Sequence, residues 1–118
     1  MRVVLSLGGS VLAPELDASR VADHAAAVER VIRDGCDVGI VVGGGGVARE
    51  YIGTARELGA SEVELDRLGI DVTQINARLL RAGFGEGVEP TLADGDGTAE
   101  AALRRGETAV TGAGARGP

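Results

Sequence analysis

The sequence predicts an α/β fold of three layers, helix–sheet–helix, around a mainly parallel sheet. Three observations predict it. Short apolar, β-branched runs alternate with longer stretches whose apolar residues recur at the helical period. Two of the runs, 2–7 and 38–42, pass directly into glycines, Gly8-Gly9 and Gly43-Gly44-Gly45-Gly46. The helical stretches stop at Gly35, Gly59 and Gly83, the residue type favoured just past a helix C-terminus. The resulting order is β-α-β-α-α-β-α-β.

Residues 2–7, Arg-Val-Val-Leu-Ser-Leu, are mostly apolar and are expected as a central strand. The first long helix covers 17–34, with Asp17 as N-cap and Val21, Ala25, Val28 and Ile32 as its buried stripe. Residues 38–42 read as a buried parallel strand. A second helix covers 46–58, with Val47, Tyr51, Ala55 and Leu58 on one face and Ala48 and Ile52 beside them. Residues 60–65 read as a loop or short extended piece. A third helix covers 66–82, with Asp66 in the N-cap position and Leu68, Val72, Ile75 and Leu79 as the core face. Residues 88–92 form a strand that Pro90 confines to an edge or irregular position. Asp94-Gly-Asp-Gly is turn chemistry without the spacing of a calcium loop. A short helix over 98–105 turns Ala99, Ala102 and Leu103 inward, and 108–110 is a last strand. No repeat or boundary interrupts the chain, which reads as a single domain over 1–118.

The stretch around Gly43–Gly46 carries the chemistry. Side-chain-free residues leave backbone N–H groups open to close approach, and the helix that follows aims its unpaired N–H groups and positive dipole end at the same place. That is an anion site, with phosphate the usual anion. Arg49, one turn in, adds a permanent forked cation. A turn that only lets helix and strand pack closely would use some of the same residues, but four consecutive glycines are entropically costly for that purpose alone. Gly8-Gly9-Ser10 is a second such turn, with a hydroxyl able to meet a phosphate oxygen. Taken alone it reads equally well as a strand-ending turn. Paired with the first, it points to one shared site outside the carboxyl ends of neighbouring strands.

Composition narrows the partners. The 118 residues suffice for one core, and 18 acidic against 12 basic residues give a net charge of −6. Every basic residue is arginine. Such a surface argues against nonspecific nucleic-acid binding. It suits a salt-rich cytoplasm, and high genomic GC content produces much the same pattern. No apolar run of transmembrane length and no signal-peptide pattern occurs, so a cytoplasmic protein without a membrane partner is expected. Cys36 and His24 are single residues of their kinds and read as structural.

Three stretches carry a resemblance: Val3-Val-Leu-Ser-Leu-Gly-Gly-Ser-Val-Leu12, Val41-Val-Gly-Gly-Gly-Gly-Val-Ala-Arg-Glu-Tyr-Ile52 and Leu65-Asp-Arg-Leu-Gly-Ile-Asp-Val-Thr-Gln-Ile-Asn-Ala-Arg-Leu-Leu80. They resemble the amino acid kinase family and, within it, the archaeal uridylate kinase branch. The resemblance implies transfer of the ATP γ-phosphoryl group to UMP with Mg2+. It places Gly9, Ser10, Gly45 and Arg49 on the ATP side and Gly44 at the UMP phosphate. Asp66 would meet the UMP ribose hydroxyls. It assigns no catalytic side chain or metal ligand in this stretch, and it implies a homo-oligomer, a hexamer in the family. Many members carry a lysine where this chain has Ser6. The likeness covers about 1–112, roughly the first half of such a kinase, and 113–118 depart from it. The 118-residue chain is therefore expected to be truncated, inactive alone and prone to associate.

Two other readings use the same residues. Gly43-x-Gly45-x-x-Ala48 fits a dinucleotide-binding fingerprint with Asp66 downstream. Against it, the turn follows the second strand and Asp66 opens a helix. A non-catalytic remnant that folds without turnover is the other alternative.

Overall fold

A computed structural model describes residues 1–8, 17–85, 88–93 and 96–113. Its elements are β1 (Arg2–Leu7), α1 (Ala18–Arg33), β2 (Asp37–Val42), α2 (Gly45–Glu57), α3 (Glu62–Ala82), β3 (Thr91–Ala93), α4 (Asp96–Arg104) and β4 (Ala109–Gly112). The strands pair in parallel in the order β1-β2-β4-β3. Leu5 lies beside Ile40, Ile40 beside Val110 and Val110 beside Leu92.

Helices lie on both faces of the sheet, as expected of parallel strands, although one face of β1 stays exposed. On one face Val21, Ala25 and Val28 of α1 and Ala77 and Leu80 of α3 pack on Val38, Ile40, Val42 and Val110. On the other, Ala102 and Leu103 of α4 pack on Ala109, and Leu103 lies where a side chain at Gly39 would stand. Successive β4 residues thus serve opposite faces.

Helix α1 begins as the sequence indicates. Asp17 accepts from the Ser19 hydroxyl and from the N–H groups of Ser19 and Arg20, and these bonds, the hydroxyl's first, hold its carboxyl below the usual carboxylate range. Glu29 is buried on the same helix. Its Oε1 accepts the Gly85 N–H at 2.6 Å and its Oε2 pairs with Arg33, tying α1 to the loop after α3. Pro90 stands just before β3, at an edge of the described sheet, and its carbonyl accepts from Arg81 Nε at 2.8 Å.

Four expectations are corrected. β1 lies at an edge of the described strands, and Val4 is 66% exposed. Apolar content does not separate an edge strand from a central one. The central place beside β2 goes to β4, which is buried throughout. Helix α3 begins at Glu62, so 60–65 is not extended and Asp66 is not its cap. Ser61 Oγ accepts the Glu64 N–H at 3.2 Å and donates to the Glu64 carboxylate, a Ser-x-x-Glu capping signature that outweighs the alternating Val63 and Leu65. The buried face of α3 is Leu65, Val72, Thr73, Asn76, Ala77 and Leu80, while Ile75 is 62% exposed. The face rotates because Asn76 finds the carbonyls after β2, while Thr73 satisfies its hydroxyl on the Ile70 carbonyl of its own helix. Finally, the face of Val47, Tyr51, Ala55 and Leu58 is not the buried face of α2, which packs on α3. Ala48 is buried and Ile52 reaches Gly69, but Tyr51 and Leu58 face outward.

Three outcomes are expected. In Gly112→Ala the new Cβ would stand 2.4 Å from Thr73 Oγ1 and 2.7 Å from the Thr73 carbonyl carbon. Backbone cannot rotate away, so the change should cost about 1–3 kcal/mol in urea unfolding. Ser61→Ala should cost about 1 kcal/mol, whereas Asp66→Asn should leave thermal stability unchanged because Asp66 caps nothing. Glu107 is held down to about 2, chiefly by Arg105 and then by the Thr91 hydroxyl, which donates to it at 2.7 Å. A lowered folded-state pKa contributes stability above the ordinary value of 4.5 that is lost as pH falls toward 2. The Tm gap between the native chain and Glu107→Gln should therefore close across that window.

Candidate functional site

The site begins where β1 and β2 end side by side. The Gly43 N–H donates to the Leu7 carbonyl at 2.8 Å, so Gly8 and the glycine turn after β2 meet at the carboxyl edge of the sheet. Gly45 then takes a φ of 62°, a conformation that side-chain-bearing residues rarely adopt. Gly44 is the N-cap of α2 and makes no side-chain capping bond. A Cβ on Gly44 would stand 2.5 Å from the Ala48 Cβ. Bare backbone is thus required at Gly44 by space and at Gly45 by conformation, and the start of α2 keeps its N–H groups free of any side-chain cap.

Helix α3 supplies the opposite wall. Ala48 and Ile52 of α2 rest against it, and Gly69 admits the Ile52 side chain closely. Between the two helices and the turn lies a cleft of about 610 Å³. Gly44, Gly45 and Arg49 line it from the turn and α2, and Asp66 lines it from α3. Four of the six residues selected from the sequence therefore share one cavity. Gly9 and Ser10 lie outside the described residues.

The charges are arranged asymmetrically. One end of the cleft has the positive start of α2, with the Arg49 guanidinium folded back to within 3.8 Å of where a Cβ at Gly46 would stand. Arg49 makes an interaction of its own. Asp66 offers a carboxylate from the first turns of α3, and both side chains are exposed. An anion fits the first group, and a pair of hydroxyl donors fits the second. Further along, Arg56 and Glu62 extend the lining, with Leu65 and Ile70 as its apolar floor.

Sequence reading missed Thr73 and Asn76. Both are buried, and Asn76 Nδ2 donates to the Gly43 carbonyl at 2.9 Å and the Gly44 carbonyl at 3.3 Å. The available signal was their i, i+3 spacing beside apolar Val72, Ala77 and Leu80. Among the described residues no group of three or more His, Cys, Asp or Glu side chains is placed to hold a metal ion. No helix among them is long and apolar enough to cross a membrane.

Comparison with known proteins shows the family and the fold. A profile of the amino acid kinase family matches residues 1–111. The uridylate kinase of Halorubrum lacusprofundi is 65% identical over 112 residues, 95% of this chain and 46% of that protein. That of Halobacterium salinarum is 60% identical over the same shares. The crystal structure of the Archaeoglobus fulgidus uridylate kinase superposes with a TM-score of 0.82 at 40% identity, covering 95% of this chain and 50% of that one. An aspartate kinase from Synechocystis, 21% identical, shares the fold with a TM-score of 0.76. The chain spans about half the length of the curated relatives it matches.

Proposed function

This chain belongs to the amino acid kinase family, and we propose that it builds the UMP side of a uridylate kinase, which transfers the γ-phosphoryl group of ATP to UMP. The observation that carries the reading is the shared cleft of Gly44, Gly45, Arg49 and Asp66. Its anion-seeking end and its acceptor end match the two ends of a nucleoside monophosphate. Gly44 backbone receives the UMP phosphate, and Asp66 accepts hydrogen bonds from the ribose hydroxyls. Gly45 and Arg49 face the incoming ATP phosphates, with Gly9 and Ser10 proposed on the same side.

The reaction needs no covalent intermediate on the protein. A UMP phosphate oxygen bonds to the γ-phosphorus while the bridging oxygen leaves with ADP. Negative charge spreads over the transferred group as this happens. Oriented N–H groups and the Arg49 guanidinium hold both reactants in line and offset that charge. Mg2+ would neutralise the ATP phosphates, and among the described residues no acidic cluster is placed to hold it. The dinucleotide reading fares worse. Asp66 sits within the first turns of α3, not at a strand end, and the glycine turn follows β2. Self-association is supported by the outward-facing Tyr51 of α2, Leu58 just after it, and Val63 and Ile75 of α3.

The test joins residues 1–112 of this chain to the remaining portion of the H. lacusprofundi uridylate kinase. That chimera should form UDP from ATP and UMP, whereas the 118-residue chain assayed alone should bind UMP without turnover. In the chimera Arg49→Ala should lower kcat/KM roughly ten- to a thousandfold, a loss of about 1.5–4 kcal/mol. Asp66→Asn should raise KM for UMP and leave KM for ATP in place. Unchanged kinetics in both variants would remove the cleft from the reaction.

A further inference from the structure

We infer that Asn76 is a positioning residue of this site, whose buried carboxamide sets the direction of the N–H groups that meet the phosphate. Its Nδ2 reaches two successive carbonyls, Gly43 at 2.9 Å and Gly44 at 3.3 Å, across 33 and 32 residues of sequence. Each peptide unit is planar and trans, so the carbonyl of one residue and the N–H of the next point in opposite directions. Holding the Gly43 carbonyl therefore aims the Gly44 N–H, and holding the Gly44 carbonyl aims the Gly45 N–H. Both N–H groups point away from the carboxamide.

A run of four glycines has no orientation of its own. Glycine loses more conformational freedom on ordering than any other residue, and no side chain caps this turn from within. The external donor from α3 supplies the order. The Gly44 carbonyl also accepts the Ala48 N–H at 3.3 Å, so the Asn76 bond joins the first bond of α2 at one oxygen. Because Asp66 stands on the same helix as Asn76, the ribose acceptor and the turn anchor move as one body.

The phosphate part of this inference rests on the uridylate reading, whereas the effect on the turn does not. The experiment separates them, using the 15N-labelled 118-residue chain. Asn76→Leu keeps the bulk and removes the donor. Asn76→Asp keeps the shape and faces the two carbonyls with a carboxylate. Either variant is decisive if the other fails to fold, as judged by circular dichroism. Without ligand, the N–H residual dipolar couplings of Gly44 and Gly45 should change in both variants while those of α1 and β2 hold. Unchanged couplings at the two glycines would overturn the inference. With ligand, UMP affinity should fall roughly tenfold while uridine affinity is unchanged. Equal losses for both ligands, or none for UMP, would overturn the positioning role at this site. Should the native chain bind UMP no more tightly than uridine, the uridylate reading fails, and the couplings still decide whether Asn76 sets the turn.

Discussion

Helix α3 touches the sheet where β2 and β4 end, and it does so through polar groups and bare backbone. Asn76 grips the carbonyls after β2, and Thr73 lies directly beneath Gly112 at the end of β4. A conventional helix–sheet contact keeps a layer of apolar side chains between the backbones. Here that layer holds only further down, at Ala77 and Leu80. Near the carboxyl edge the helix comes close enough for direct hydrogen bonding. The turn, the cleft and the position of Asp66 all depend on that close approach.

The approach also explains where the cleft lies. Helix α2 leaves the turn and packs back along α3, with Gly44 beside Thr73 and Ile52 on Gly69, and the cleft runs along one side of that pair. One brings a dipole and a guanidinium, the other a carboxylate. In a chain of net charge −6 with no lysine, a diffuse positive field is not available to gather phosphates. Local backbone dipoles and single arginines must act instead. A site of that kind depends on geometry, because a misdirected N–H group has no surrounding positive surface to replace it.

Much of this was legible in the chain itself. Strand and helix positions follow from periodicity, and the stops at Gly35 and Gly59, both at positive φ, follow from C-terminal glycine chemistry, whereas Gly83 ends α3 at a φ of −81° where a Cβ would crowd Val21. Gly44, Gly45 and Arg49 could be selected from residue type and spacing, whereas Asp66 and the separate contacts came from the resemblance to a kinase family. The start of α3 was misread because Val63 and Leu65 alternate with glutamates like a strand, while the deciding signal was a single serine reaching its third neighbour. The face of α3 was misread because apolar residues were counted inward. A buried asparagine takes the inward side because it hydrogen-bonds the turn after β2, and Thr73 goes in with its hydroxyl satisfied by its own helix, so Ile75 faces outward.

What the sequence by itself determined is local. It set the order of elements, the bare turn after β2, the parallel class of sheet and the residue types open to an anion. Those follow from backbone freedom, period and charge within a few residues of each position. The tertiary structure decided that β4 rather than β1 lies at the centre, and that α2 packs on a helix and not on the sheet. It also decided that Asn76, 32 residues beyond Gly44, orients the turn. Such outcomes depend on which distant surfaces come close enough to exclude side chains, and a pattern read along the chain carries no distance between them.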